Sequence, residues 1–129
     1  MNYAFDGSRP IYVQVAEKLE SKILREEYHP GQKILSPREL AVKLTVNPNI
    51  IAKSIIELEK TGLIYKNRDN DIIVTEDIQL ISDIQVEKSF EIAKEFINKV
   101  KELKIDKDGK DKLMQKIQEA LNEWLHFWM

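Results

Sequence analysis

The sequence predicts a mainly α-helical protein with one small β-hairpin, and three observations lead to this fold class. Apolar residues recur at the three- and four-residue spacing of helices over most of the chain. Pro37 and Pro48 each follow a residue that can cap a helix, which marks two helix starts. Two short β-prone runs, 63–67 and 72–75, flank a polar segment and predict the hairpin.

The composition is that of an ordinary soluble protein. The chain has 129 residues, of which 43% are hydrophobic and 33% charged, enough for one compact domain or two small ones. There are no cysteines, so disulfides and thiolate metal sites are excluded. The N-terminus lacks the pattern of a secretion signal, and no apolar run approaches the roughly 20 residues that span a bilayer. We therefore expect a cytoplasmic protein.

The first helix is predicted to open at Pro10, which follows an extended arm of residues 1–9. Its buried stripe is formed by apolar residues at helical spacing, namely Ile11, Val15, Leu19 and Ile23. The helix should end near Glu27, because residues 28–31 form a turn cluster with Pro and Gly. A short extended segment, 33–35, then leads to the next helix.

The stretch 36–62 predicts a pair of helices joined by a tight connection. Ser36 and Asn47 are the expected N-caps, and Gly62 is expected to end the second helix. The residues that should face the core are Leu40, Ala41 and Leu44 in the first of these helices and Ile51, Ile55 and Leu58 in the second. Asn49, Ile50 and Lys53 are then expected on the face that points away from the core.

The hairpin completes a recognisable order of elements. Its polar turn at 68–71 contains Asp-Asn, which tolerates positive φ less easily than Asn-Gly, so we expect a loop of more than two residues. Three helices followed by a two-stranded hairpin describe a winged helix-turn-helix, in which one helix braces while the next enters the DNA major groove.

After Glu76 the pattern changes to long amphipathic helix. One helix is predicted from about 78 to 103 and a last one from about Asp111 to the end, with a turn at 107–110. We therefore predict a winged helix-turn-helix domain at 1–77 and a C-terminal two-helix dimerisation domain at 78–129. Two helices alone cannot bury such wide apolar stripes, so a partner is implied. The residues expected at the dimer contact are Phe90, Ile97, Ile117, Leu121, Trp124 and Trp128. The terminal WLHFWM should pack against a second subunit or back onto the first domain.

The overall charge of -2 does not indicate a nucleic-acid partner, but residues 36–68 carry six basic side chains against three acidic ones. Such a local excess can face phosphates. The alternative is that these are solvated charges on helix surfaces.

Three sequence segments closely resemble the N-terminal domain of the GntR family of bacterial transcription regulators: PIYVQVAEKL, PGQKILSPRELAVKL and VNPNIIAKSIIELEKTGLI. The match covers about residues 10–64, roughly half the chain. The short helical tail resembles that of the YtrA subfamily, whose members are often dimeric repressors. The resemblance implies a homodimer on a palindromic operator, with an unidentified small-molecule effector as a further possible partner.

The resemblance also implies which residues meet double-stranded DNA. Ser36 and Arg38 would approach the phosphate backbone or an adjacent base, and Asn47, Asn49 and Lys53 would lie in or along the major groove. Arg can chelate guanine or a phosphate, and Asn can pair with adenine.

The sequence departs from the family pattern at three places. The proline of the usual Leu-Pro-Ser lies after the cap, at Pro37, which leaves the capping intact. Ile50 replaces a common threonine, losing a hydroxyl contact but offering apolar contact to a thymine methyl. The wing has Arg68-Asp69-Asn70-Asp71 in place of a glycine-rich tip, and its carboxylates would repel phosphates. Lys66 and Arg68 can still reach the backbone.

Nothing in the sequence favours an enzyme, a cofactor or a metal site. His29 and His126 are the only histidines and lie far apart. DKDGKD at 106–111 has the wrong end residues for a calcium loop. The main alternative is a winged-helix protein-interaction module with a weakened DNA face, which the acidic total and altered wing would suit.

Overall fold

The computed structural model describes residues 5–127 and contains five helices and one two-stranded sheet in that part of the chain. The helices are α1 (Ile11–Leu24), α2 (Pro37–Leu44), α3 (Pro48–Glu59), α4 (Ile78–Lys101) and α5 (Lys107–Phe127). The strands β1 (Ile64–Lys66) and β2 (Ile72–Val74) lie between α3 and α4. The predicted fold class, a winged helix-turn-helix followed by a helical C-terminal domain, is confirmed.

The chain divides into two compact units, Met1–Glu87 and Lys88–Met129. The division falls within α4, so the predicted domain boundary between residues 77 and 78 stays a prediction. Among residues 5–127, no helix is long and apolar enough to cross a membrane.

The hydrophobic core of the first unit is formed by the predicted stripes of its helices. α1 contributes Val15, Leu19 and Ile23, whereas the predicted member Ile11 remains 39% exposed. All six residues expected to face the core from α2 and α3 are buried: Leu40, Ala41, Leu44, Ile51, Ile55 and Leu58. Because each of these side chains is almost completely removed from water, hydrophobic burial fixes how the three helices pack.

The hairpin closes one side of this core. Ile64 pairs with Val74 and Lys66 with Ile72 in an antiparallel register. The segment before α2 lies beside β2. Lys33 forms an antiparallel β-bridge with Ile73, and the N–H of Ile34 donates to the carbonyl of Ile72 at 2.8 Å. The connection between β1 and β2 spans residues 67–71, so the expectation of a loop longer than two residues is confirmed.

The beginning of α4 belongs to the first unit. Ile81 is buried in the same core and Ile84 packs against it. The Gln85 side chain donates to the carbonyl of Leu24 at 2.8 Å, which ties α4 to the end of α1. These contacts mean that the winged helix includes the first turns of the long helix.

Two predicted helix limits were wrong. α1 ends at Leu24 and not near Glu27, because Glu26 takes a left-handed φ of 63°. α4 begins at Ile78 as predicted and ends at Lys101, within two residues of the predicted end at about 103. α5 begins at Lys107 and not near Asp111, because Asp106 accepts a 2.7 Å hydrogen bond from the N–H of Gly109 and so acts as a cap.

Candidate nucleic-acid interface

The N-terminus of α2 carries the predicted cap. The Ser36 hydroxyl accepts a hydrogen bond from the N–H of Glu39 at 3.2 Å, and Pro37 occupies the first turn, where no donor is needed. Arg38 is exposed in this turn, and no ion pair holds its guanidinium within residues 5–127. The positive charge is therefore available to a ligand.

The N-terminus of α3 follows a turn in which Thr45 takes a left-handed φ of 56°. Asn47 caps the helix, and its side-chain oxygen accepts from the N–H of Asn49 at 2.7 Å. This engagement leaves the amide N–H groups of Asn47 as its free donors. Asn49 is exposed, and within the described chain its own side-chain amide makes no hydrogen bond. Of the two, Asn49 has both a donor and an acceptor available for the edge of a base.

The orientation of α3 is fixed by α1. Ser54 is completely buried, and its Oγ lies 2.8 Å from the carbonyl oxygens of both Tyr12 and Ile50. The ammonium of Lys53, the residue before Ser54, lies 6.0 Å from the centroid of the Tyr12 ring. Tyr12 therefore contacts α3 twice: its backbone carbonyl accepts from Ser54, and its ring faces the exposed Lys53 ammonium.

Ile50 does not lie where the sequence predicted. It is half-buried and packs against the hydrophobic core, whereas Asn49 and Lys53 are exposed as expected. Phe5 of the N-terminal arm also packs against the core, and both side chains line a cavity of about 500 Å³ beside the connection between α2 and α3. A cavity shared with the arm has no periodic signal in α3 itself.

The arm is held in place by Gln14, a buried side chain within the segment PIYVQVAEKL. Its side-chain oxygen accepts from the N–H of Asp6 at 2.7 Å, and its amide donates to the carbonyls of Asp6 and Arg9 at 2.6 and 3.0 Å. Gln14 thus satisfies three backbone groups of a segment outside any helix. The only sequence signal was a polar residue within an apolar helical stripe.

The wing tip is ordered by one side chain. The Asn67 oxygen accepts from the N–H groups of Asp69 and Asp71, each at 2.9 Å. The Asp71 carboxylate lies 3.2 Å from the Lys33 ammonium, so one of the two wing acids is neutralised. Lys66 and Arg68 are exposed and form no ion pair within the described residues.

The base of the hairpin is tied by Tyr65. Its hydroxyl donates to Glu76 Oε1 at 2.8 Å, and this bond raises the pKa of Tyr65 above its ordinary value. Gly31, with a φ of +79°, lies against the same Glu76 side chain.

Lys60, unlike Lys66 and Arg68 of the wing, forms an ion pair. Its ammonium lies 2.9 Å from the Glu57 carboxylate, which raises the pKa of Lys60.

The predicted DNA contacts therefore lie on three surface segments. Ser36 and Arg38 are at the start of α2, and Lys66 and Arg68 are at the wing. Asn47 caps α3, and the first half of that helix carries Asn49, Ile50 and Lys53. Within residues 5–127, no group of three or more potential metal-ligating side chains converges.

The residues expected at a dimer contact lie in the second unit. Phe90, Ile97, Leu121 and Trp124 are between 45% and 61% exposed, and Ile117 is half-buried. Trp128 lies outside the described residues. No residue of α5 is buried in the described part of the chain, and its described apolar side chains are exposed except for the half-buried Leu113 and Ile117.

Comparison with known sequences identifies relatives over nearly the whole chain. The family model described as bacterial regulatory proteins, gntR family, matches residues 11–70. The HTH-type transcriptional regulator YhcF of Bacillus subtilis is 31% identical over 84% of this chain and 89% of its own length. The HTH-type transcriptional repressor YtrA of the same species is 31% identical over 91% of this chain and 85% of its own length.

Solved structures give the same result. A GntR family transcriptional regulator from Listeria monocytogenes superposes with a TM-score of 0.75 at 36% identity, covering 87% of this chain and 98% of that one. The DNA-binding domain of AraR in complex with operator ORX1 superposes with a TM-score of 0.53 at 28% identity, covering 58% of this chain and 95% of that one. YhcF, YtrA and the Listeria protein are named as transcription regulators or repressors.

Proposed function

Because the chain belongs to the GntR family of bacterial regulatory proteins and is of the YtrA type, we propose that it is a homodimeric repressor acting on a palindromic operator. DNA-binding transcription regulation is the function of the family. The proposal adds that the protein acts as a dimer, that it represses transcription and that its operator is palindromic. The observation that carries the proposal is the exposed N-terminus of α3, where the Asn49 amide is unengaged within the described chain.

The chemistry of the three segments assigns each side chain a role on DNA. Asn49 pairs with the edge of adenine, while Asn47 donates from its free amide. Arg38, Lys53, Lys66 and Arg68 neutralise phosphates, and Arg38 can also chelate a guanine. Ser36 adds a backbone contact, and the exposed part of Ile50 contacts a thymine methyl.

A salt titration tests DNA binding. Duplexes selected from a random pool by the purified protein should bind with a log-log salt slope of about -5, as expected for about six phosphate contacts. Arg38→Ala should weaken binding and make the slope shallower by about one. Arg25→Ala, at the exposed end of α1, is the matched control and should leave both unchanged.

The alternative, a winged-helix module that binds a protein, predicts no selected sequence and no salt-dependent DNA binding. That result would reject the repressor. A selected sequence with an unaltered Arg38→Ala affinity would reject only the site assignment.

The homodimer is supported by the exposed apolar residues of the second unit. Helices that bury so little in one chain require a further surface, and a second copy joined through Phe90, Leu121 and Trp124 is the simplest one. Two recognition helices would then meet an inverted repeat with half-sites about 34 Å apart, or a multiple of it. The repressor role is supported by the name of the relative YtrA.

The dimer is tested by sedimentation equilibrium of the full chain. Wild type should sediment as a dimer, and the double variant Leu121→Glu, Trp124→Glu as a monomer with operator affinity reduced at least tenfold. Gln115→Glu, on the same helix, adds a charge without removing an apolar side chain and should remain dimeric. A monomeric wild type, or selected sites without inverted repeats, would contradict the proposal. We also propose that a small-molecule effector acts on the tail by altering the spacing of the two recognition helices.

A further inference from the structure

An open groove lies between α4 and α5 within the second unit. Its volume is about 650 Å³, within the usual range of small-molecule sites. Most of its lining is apolar: Ala93, Phe96, Ile97, Val100, Ile105, Leu113, Met114 and Ile117. A concave apolar surface of this size is unfavourable in water and predicts an occupant.

The rest of the lining is cationic. Lys101, Lys104 and Lys110 come from the end of α4, the connection and the first turn of α5, and no acidic residue lines the groove. None of these three ammonium groups forms an ion pair with another residue of the range 5–127. The nearby Asp106 carboxylate is engaged as the cap of α5 through the N–H of Gly109. The groove therefore joins an apolar wall to unpaired positive charge.

The groove and the proposed dimer contact share some residues but not all. Phe90, Leu121 and Trp124 do not line it, whereas Ile97 and Ile117 do. Along the sequence, the residues that line the groove flank the connection between α4 and α5, whereas Phe90, Leu121 and Trp124 lie farther from it. A second copy can cover those three residues while the groove holds a ligand.

We propose that this groove binds a free single-chain amphiphile with an anionic head, a long-chain carboxylate whose chain lies on the apolar wall and whose head lies among Lys101, Lys104 and Lys110. The charge complementarity selects this occupant, because the three exposed ammonium groups beside the apolar wall attract an anionic head and repel a cationic one. Binding itself requires only the groove. Its regulatory meaning, a carboxylate as the effector, rests on the proposed function.

Calorimetry on the full chain tests the ligand class. Octanoate, decanoate and dodecanoate, each below its micelle concentration, should bind with affinity rising roughly fourfold per methylene group until the groove is filled. The matched alcohols should bind at least tenfold more weakly. Equal affinity for carboxylate and alcohol, or no binding of dodecanoate, would overturn the proposal.

A charge-matched pair of variants locates the head group. Lys101→Gln, Lys104→Gln, Lys110→Gln should reduce the affinity for dodecanoate to that for dodecanol. Lys99→Gln, Lys107→Gln, Lys112→Gln removes the same charge from exposed positions that do not line the groove and should bind as wild type. Circular dichroism checks that both retain their helices. An equal loss in both variants would contradict the site.

Ala93→Trp should fill the groove and abolish dodecanoate binding while leaving the dimer intact. If it instead separates the subunits and wild type binds no carboxylate, a second copy occupies the groove and the proposal is wrong. Operator binding with and without dodecanoate separates the two proposals. Unchanged operator affinity with bound dodecanoate would reject the effector role alone, and absence of any operator binding would reject the proposed function while the ligand site stands.

Discussion

Two asparagines at the start of α3 have different tasks although they lie two positions apart. Asn47 is engaged with the backbone as the helix cap, whereas the Asn49 amide is open to solvent. The capping bond of Asn47 stabilises the folded protein. The Asn49 amide gains a partner only when a ligand binds. Their substitution by alanine should therefore separate folding from recognition.

We expect Asn47→Ala to lower the free energy of unfolding by about 1 kcal/mol, the usual cost of losing an N-cap. Asn49→Ala should change stability by less than about 0.5 kcal/mol. It should, however, weaken binding to the selected duplex by about 1–3 kcal/mol, because a base contact is lost. Urea unfolding followed by circular dichroism and fluorescence anisotropy with labelled DNA measure the two effects. A stability loss for Asn49→Ala as large as that for Asn47→Ala would contradict the distinction.

The arm before α1 should respond to acid through Asp6. The Asp6 carboxylate accepts from the N–H and the hydroxyl of Ser8 at 2.8 and 2.7 Å, and these bonds lower the pKa of Asp6. The turn is therefore stabilised above the unfolded pKa of Asp, and this contribution is lost as the pH falls through the lower, folded value. The Ser8 amide resonance should move in this acidic range and not between pH 6 and 8. Asp6→Asn should remove the transition.

At the scale of elements, Gly62 joins three of them. It follows α3 with a φ of +82°, precedes β1, and a Cβ placed on it would lie 3.0 Å from the Leu80 side chain of α4. Only glycine combines this left-handed backbone with so close an approach. The predicted role as a helix stop is confirmed, and the contact with α4 was not foreseen.

Gly62→Ala should lower the free energy of unfolding by roughly 1–2 kcal/mol, because the left-handed conformation is costly for a residue with a Cβ and Leu80 must move. Gly7→Ala is the matched control, since a Cβ at that position meets nothing within 4 Å. Urea unfolding of the two variants gives the comparison. Equal stability of both would show that the backbone of Gly62 relaxes without cost.

The wing should gain DNA affinity when its unneutralised acid is removed. Asp71 is paired with Lys33, so Asp69 is the carboxylate that repels phosphates most directly. Asp69→Asn should strengthen operator binding by about twofold to fivefold at low salt, with the gain fading as salt rises. Glu27→Gln removes an equal charge at the turn after α1 and should have no effect. No gain for Asp69→Asn would indicate that the wing stays away from DNA.

The elements that could be predicted are those whose signals are local. Ser36-Pro37 and Asn47-Pro48 specify a cap and a first turn within two residues, so the helix pair was predicted correctly. The burial of Ile50 depends on its packing against the core, and the role of Gln14 depends on backbone groups of the arm, so neither leaves a pattern in the adjacent sequence. The sequence predicts the start of α5 too late, because Gly109 is typical of a turn, whereas its N–H completes the cap at Asp106.

At the scale of the whole molecule, the first unit continues past the end of the hairpin. Ile81 is buried in the core of this unit, with 8% of its surface exposed, and the Gln85 side chain donates a hydrogen bond to the carbonyl of Leu24. A fragment ending at residue 77 would therefore leave an apolar surface that α4 normally covers. The stability of the winged helix should depend on where the chain is cut.

A fragment of residues 1–87 should unfold cooperatively, and a fragment of residues 1–77 should be less stable by at least about 1.5 kcal/mol, the contribution of one buried isoleucine. Urea unfolding of the two fragments measures the difference. A third fragment, 1–95, adds residues without adding core contacts and should match 1–87. Equal stability of 1–77 and 1–87 would place the functional boundary at the earlier position.

The open surface of α5 has a consequence for how the protein responds to its own abundance. A helix of 21 residues with no buried side chain in its own described chain is marginal in isolation and takes much of its order from whatever covers it. By mass action, the fraction of C-terminal helices that are ordered then rises with the concentration of the partner that binds them. When few copies are present, the tails should be the part of the protein most exposed to proteases. The number of intact regulators would then rise more steeply than the rate at which they are made.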